Sequence, residues 1–180
     1  MLVDPQDSLL LIVDVQQRLA PAVASHRAVE ARIATLIRGA RRLAIPVLAS
    51  EQYPQGLGPT VPALAQLLAP AERIAKRAFS CAAEPGFLAA LRESGRGQVV
   101  ICGMEAHVCL LQTAIELVEA GFVVFAVADA LGSRDPANRE AALARMAGQG
   151  IEVVTGEMVL FEWLRRSDHE GFRDLLGLIK

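Results

Sequence analysis

Apolar and polar positions switch between two periods along the whole chain. Residues 8–13 (Ser-Leu-Leu-Leu-Ile-Val) form a short continuous apolar run, the pattern of a strand covered on both faces, and residues 28–43 carry apolar side chains at helical spacing. A second strand is predicted over 46–49, then a loop rich in Gly and Pro over 51–62, a short helix over 63–68 and a third strand over 73–76. Residues 85–93 read as a helix with Pro85 in its first turn, 98–102 as a fourth strand, and 107–120 as a helix stopped by Gly121. A fifth strand over 122–128 precedes a helix that Asp135 caps, with Pro136 behind it, and that ends near Gly150. A sixth strand over 151–155 leads into a helical tail containing Trp163. Six strands alternating with helices predict an α/β fold: a three-layer α/β/α arrangement around a six-stranded, mostly parallel sheet, Rossmann-like in plan.

A parallel sheet says where to look for chemistry. Ligands bind beyond the carboxyl ends of the strands, at the point where the strand order reverses, which in the common order 3-2-1-4-5-6 lies between strands one and four. Asp14 ends the first predicted strand, Lys76 ends the third, and Cys109 follows the fourth, so an acid, an ammonium and a thiol share one edge.

Composition narrows the classes that remain. The 180 residues fit one domain, 1–180, able to bury about 70% of the surface of the unfolded chain. Apolar residues make up 53%, enough for a thickly covered sheet and a subunit interface, so a homo-oligomer is expected. No apolar run approaches the roughly 20 residues of a membrane span, and Asp4 and Asp7 occupy what would be the basic region of a signal peptide. Three cysteines without paired spacing do not form a disulfide framework, which agrees with a cytoplasmic location. With a net charge of −2 and no basic stripe, neither nucleic acid nor membrane is an expected partner; a small-molecule substrate is.

Cys109 carries the most specific signal. The segment from Val99 to Cys109 is an apolar run, a glycine turn at Gly103, and the start of an amphipathic helix. A thiol in a first helical turn meets unpaired N–H groups and the positive end of the helix dipole, which favour the thiolate, and the same amides can hold an oxyanion. A single buried cysteine is ordinarily a small apolar residue. Asp14 and Lys76 on the same edge alter that weighing: a carboxylate within reach takes the thiol proton, and an ammonium lowers the thiol pKa while holding the carboxylate. Taken singly, Asp14 reads as a strand-end cap and Lys76 as a solvated charge. His107, two residues before Cys109, faces elsewhere if both are helical and is read as a packing or pocket residue. Cys102 reads as a core thiol, while Cys81, after Phe79-Ser80, falls near the pocket. Gln16, Tyr53 and Phe79 are candidates to line a substrate site, with ordinary packing an equal reading of the last two.

Asp14-Val15-Gln16 after an apolar strand, Lys76 followed by Phe79-Ser80, and Gly103-x-Glu105-x-His107-Val108-Cys109-x-x-x-Thr113-Ala114 resemble the isochorismatase-like cysteine hydrolase family. The loop Glu51-Gln52-Tyr53-Pro54-Gln55-Gly56-Leu57-Gly58-Pro59-Thr60 resembles its branch of isochorismatase domain-containing proteins. The likeness spans nearly the whole chain. It implies an Asp14–Lys76–Cys109 triad that cleaves a small amide or related C–N bond through a thioester. It also implies a cis peptide bond at Met104–Glu105 and an oxyanion hole made by the backbone N–H groups of Glu105 and Cys109. Nicotinamidases of this family carry an Asp-x-His pair where this chain reads Glu51-Gln52-Tyr53, and His26, His107 and His169 lack ligand spacing, so neither a metal nor a cofactor is expected. Two alternatives stay open: a thiol-dependent esterase or thioesterase at the same site, and a catalytically quiet member serving as an interaction protein.

Overall fold

Ser8–Val13 forms the first strand, β1, buried at all six positions near the middle of the sheet. With strands on both edges and helices on both faces, it has no solvent side, which is why its sequence does not alternate. The other strands are β2 (Val47–Gln52), β3 (Arg73–Lys76), β4 (Gln98–Met104), β5 (Val123–Gly132) and β6 (Glu152–Val154), in the order β3-β2-β1-β4-β5-β6. Every pairing is parallel. The structure, a computed structural model, describes residues 1–179.

The helices are α1 (His26–Arg42), α2 (Pro54–Leu57), α3 (Pro62–Ala65), α4 (Phe87–Glu93), α5 (Leu111–Glu119), α6 (Pro136–Ala147), α7 (Gly156–Leu164) and α8 (Phe172–Ile179). Successive side chains of β1 divide between two cores because strand side chains alternate. Leu10 and Ile12 pack with Ile33 and Ile37 of α1 and Leu160 and Trp163 of α7. Leu9, Leu11 and Val13 pack with Phe87 of α4, Leu117 of α5 and Met146 of α6. These are the two covered faces of a three-layer fold.

Several element ends differ from the sequence reading. β2 runs on to Gln52, since ladder bonds to β1 and β3 continue it through polar residues that apolar periodicity does not register, and β4 runs on through Gly103 to Met104 on ladder bonds to β1 and β5. Pro85 is not in the first turn of its helix: α4 begins at Phe87 behind Gly86, whose φ of +83° turns the chain in. Asp135 does cap α6, its carboxylate accepting the Ala137 N–H at 2.9 Å, with Pro136 as the first helical residue. The helix expected over 107–120 opens instead as a π-helical turn, Ala106–Leu110, continuing into α5.

Gly103 fixes how closely β1 and β4 meet. Its φ is +132°, and a Cβ there would collide with the Val13 carbonyl on the neighbouring strand. Gly103→Ala is expected to cost at least about 3 kcal/mol, since neither the left-handed backbone nor the collision with main chain can relax cheaply. Urea denaturation checks this; a loss under about 1 kcal/mol contradicts it.

Candidate active site

The register aligns the ends of three strands. Val13, the last residue of β1, sits opposite Ser50 of β2 and Gly103 of β4, and Gln52 of β2 sits opposite Lys76 of β3. Asp14 therefore leaves the sheet beside Ser50, at the reversal of strand order. Its φ of +51° is left-handed, a conformation aspartate tolerates better than most residues.

The Asp14 and Lys76 side chains are both fully buried, and Lys76 Nζ lies 2.8 Å from Asp14 Oδ2. Two charges without solvent need further partners. Nζ donates to Gln52 Oε1 at 2.6 Å and to the carbonyls of Phe79 at 2.8 Å and Ala78 at 3.2 Å. Asp14 Oδ1 accepts the Ser50 hydroxyl at 2.7 Å. Oδ2, although close to Nζ, accepts no aligned hydrogen bond from it. A buried carboxylate oxygen with an open lone pair is an acceptor waiting for a proton.

Cys109 is the candidate donor. It lies in the π-helical turn, 6% exposed, and the Asp14 charge acts on its thiol. Burial, with the Asp14 charge adding and Lys76 opposing, pushes the Cys109 thiol up to about 12. The resting group is therefore a thiol, where the helix start alone favours a thiolate: desolvation and a carboxylate at short range outweigh the dipole. The Glu105 carbonyl accepts the N–H groups of Val108 at 3.1 Å and Leu110 at 3.3 Å, but not that of Cys109 between them. The Met104–Glu105 peptide bond is cis.

The site opens on a cavity of about 220 Å³ whose walls include Leu19, Leu57, Phe79, Val108 and Cys109, with Arg134 at its rim. Phe79, 56% exposed, thus reaches the cavity. Gln16 does not face it. Its buried amide clamps backbone, donating to the carbonyls of Gln52 and Gly58 and accepting the Gln52 N–H. Tyr53 lies outside the cavity wall, half-exposed, with the Arg77 guanidinium 4.1 Å from its ring centre. His107 also lies outside that wall and bonds Ser133 Oγ through Nδ1 at 3.0 Å. The Glu105 carboxylate accepts the Arg134 backbone N–H at 2.9 Å, anchoring the rim.

Four contributors escaped the sequence reading: Ser50, Gln52, Thr113 in its structural role, and Arg134. Ser50 and Gln52 belong to the polar continuation of β2, and strand register is the signal that would have found them. Thr113 Oγ1 donates to the Cys109 carbonyl at 2.6 Å and accepts the Cys81 N–H at 2.9 Å, tying the nucleophile's turn to the loop that holds Lys76. No local pattern marks Arg134. Cys81 is fully buried behind the site, its thiol pushed up to about 11 chiefly by burial and then by Asp14. Cys102 is a core thiol held well above the usual range by burial.

A six-stranded parallel sheet with helices on both faces places the chain in a class, the isochorismatase-fold hydrolases. The isochorismatase domain matches residues 8–158, and the chain belongs to that family. It is 36% identical to isochorismatase domain-containing protein 2A of Mus musculus, over 98% of this chain and 84% of that one. It is 40% identical to isochorismatase domain-containing protein 1 of Danio rerio, over 98% of this chain but only 62% of the relative's length. Among solved structures, the MAR1 ribonuclease of Caenorhabditis elegans superposes with a TM-score of 0.93 at 35% identity, covering 99% of this chain and 92% of that one. YcaC from Pseudomonas aeruginosa, with hexane-2,5-diol and covalent acrylamide, gives 0.91 at 31% identity, covering 98% and 91%. YcaC from Escherichia coli, described as an octameric hydrolase of unknown specificity, gives 0.92 at 27% identity, covering 99% and 90%. Membership supports a hydrolase.

Because the Asp14 charge raises the Cys109 pKa, neutralising it lowers that pKa. In Asp14→Asn, iodoacetamide labelling of Cys109 is expected to begin at lower pH than in wild type, thiolate rising about tenfold for each unit of pKa lost. Buried Cys102 is the control, since labelling there signals unfolding instead. An unchanged or higher onset pH contradicts the assignment.

Proposed function

We propose that this protein is a cysteine-dependent hydrolase of a small amide or related C–N bond. The observation that carries the reading is the buried Asp14 oxygen without an aligned donor, held beside the Cys109 thiol by Lys76 and Ser50. In this mechanism Asp14 takes the thiol proton as the sulfur attacks the carbonyl carbon. Lys76 stabilises the carboxylate beforehand and the sulfur's developing charge during attack. The N–H groups of Glu105 and Cys109 receive the oxyanion of the tetrahedral intermediate. The C–N bond then breaks, the leaving nitrogen takes the proton from Asp14, and a thioester remains on Cys109. Water, deprotonated by Asp14, hydrolyses it to the acid and restores the thiol. Cys109 supplies the nucleophile and Asp14 the proton transfer, so the reading calls on no metal or cofactor.

The cavity supports a small substrate, being below the roughly 300–1,000 Å³ of sites for drug-sized ligands. Its wall of Leu19, Leu57, Phe79 and Val108 favours a short apolar acyl group over a polymer. The worm relative is called a ribonuclease; here a net charge of −2 and a cavity of this size favour a small molecule over RNA. Covalent acrylamide in the Pseudomonas relative supports access of a small amide to a reactive group in this fold. Phe79 is the side chain we expect to touch substrate; Gln16, Tyr53 and His107 lie outside the cavity wall. The reading is of one domain, in the cytoplasm, working as a homo-oligomer, the last supported by the octameric E. coli relative.

A panel of small amides, ureas, esters and thioesters, with a short single-stranded RNA, tests the reading against wild type, Cys109→Ala and Glu105→Gln. The expected result is amine or ammonia release from a short amide, reduced on the order of 10³-fold or more in Cys109→Ala. Glu105→Gln should keep most of it, since the backbone N–H is the group used. Turnover of esters alone would move the assignment to a thioesterase, and Cys109-independent RNA cleavage would remove it.

A further inference from the structure

Leu19, Leu57, Phe79 and Val108 line the cavity around Cys109, and three polar side chains, Gln52, Glu105 and Arg134, complete its wall. A substrate with a polar end must match what those three still offer. Gln52 has both ends of its amide taken: Oε1 accepts from Lys76 Nζ at 2.6 Å and Nε2 donates to the Arg77 carbonyl at 2.9 Å. The Glu105 side chain is only 7% exposed, and its Oε1 accepts the Arg134 backbone N–H at 2.9 Å with Arg134 Nε 3.4 Å away. Arg134 is the opposite case. Its side chain is 63% exposed, and its Nη1 and Nη2 make no hydrogen bond among the described residues.

The position of that guanidinium is tied to the nucleophile. Arg134 lies between the end of β5 and the N-cap of α6. Glu105, the residue before the π-helical turn, holds the Arg134 backbone and Nε. His107, within the turn, holds the neighbouring Ser133, itself 5% exposed, through Nδ1 and Oγ at 3.0 Å. His107 does not reach the cavity, yet it acts on the rim through this contact. The same turn thus sets both Cys109 and the cationic fork at the cavity mouth.

A guanidinium fork recognises planar oxyanions through paired N–H donors. Two features select a carboxylate over a phosphate. Arg134 is the single cation of the cavity wall, and the Glu105 charge beside it leaves attraction enough for a monoanion while opposing a dianion. The rest of the wall is apolar and suits a short hydrocarbon spacer.

We propose that the site takes a short amide whose acyl chain ends in a carboxylate, a monoamide of a small dicarboxylic acid, with Arg134 binding the carboxylate while Cys109 attacks the amide carbon. The proposal rests on the hydrolase reading for its chemistry: water is consumed and ammonia leaves through the steps already given, and the product is the dicarboxylate. Arg134 adds the selectivity.

The test compares oxamate, malonamate, succinamate and glutaramate with their neutral diamides, which match them in length and shape but lack the charge. Ammonia release is measured for wild type, Arg134→Met and Arg134→Lys. The best acid amide is expected to exceed its diamide in kcat/KM on the order of 10- to 100-fold, and through KM, because the carboxylate is held equally before and during reaction. Arg134→Met should bring that ratio to within about threefold, and Arg134→Lys, which keeps the charge without the fork, should retain part of it. Binding is read separately by calorimetry on Cys109→Ala, where the acid amide should bind more tightly than its diamide and lose that advantage when Arg134→Met is added. Equal kcat/KM for acid amides and diamides, or a preference that survives Arg134→Met, overturns the carboxylate site and leaves the hydrolase standing. Arg134-dependent binding with no turnover by wild type keeps the carboxylate site and sinks the hydrolase. Neither binding nor turnover of any acid amide overturns this proposal.

Discussion

The ion pair of Asp14 and Lys76 is the constraint around which the carboxyl edge of the sheet is organised. Both side chains are out of water, and a buried pair of this kind is tolerable only when its remaining hydrogen-bonding positions are filled. Ser50 and Gln52 come from one strand to fill two of them, and the carbonyls of Ala78 and Phe79 arrive from the loop after β3. The course of that loop follows from this: it curls over Lys76 because the ammonium needs acceptors, and Thr113 then pins it to the helix that carries Cys109. One electrostatic requirement thus positions three separate segments.

The same pair sets the chemistry available. A cysteine at a helix start is expected to rest as a thiolate, yet here the surroundings are dry and the Asp14 charge outweighs that of Lys76, so the proton stays on sulfur. In the proposed mechanism that state is inert until a substrate presents an electrophilic carbon, when the carboxylate accepts the proton in step with attack. Lys76 neutralises the carboxylate without occupying the lone pair that the proton needs, and Ser50 holds the opposite oxygen. In that mechanism reactivity is delivered by the substrate and not stored in the resting thiol.

Outside the site, the two layers of helix serve different ends. The layer of α4, α5 and α6 backs the nucleophile, and its core contains both Cys81 and Cys109. The layer of α1, α7 and α8 carries the largest buried side chain, Trp163, whose indole N–H donates to Ser8 Oγ at 3.1 Å, and also the most apolar outer surface. The candidate nucleophile and that outer surface thus belong to opposite faces of one sheet.

Much of this was legible along the chain. The order of strands and helices, the parallel sheet and the placement of Asp14, Lys76 and Cys109 on one edge follow from period and spacing, because a strand buried on both faces must be continuously apolar and its end must be where polarity returns. What the sequence could not specify are the contacts that depend on register. Ser50 and Gln52 lie beyond the apolar part of β2, where hydropathy is silent and only hydrogen bonding to β1 and β3 shows that the strand continues. Gln16, Tyr53 and His107 stand near the site in sequence, yet each is turned from the cavity by a partner remote in the chain: the Gln52 and Gly58 backbone, Arg77, and Ser133. The protonation of Cys109 was also decided in three dimensions, since the helix dipole is a local property that sequence can announce, whereas desolvation and the nearness of Asp14 exist only once β1, β3 and α5 have packed.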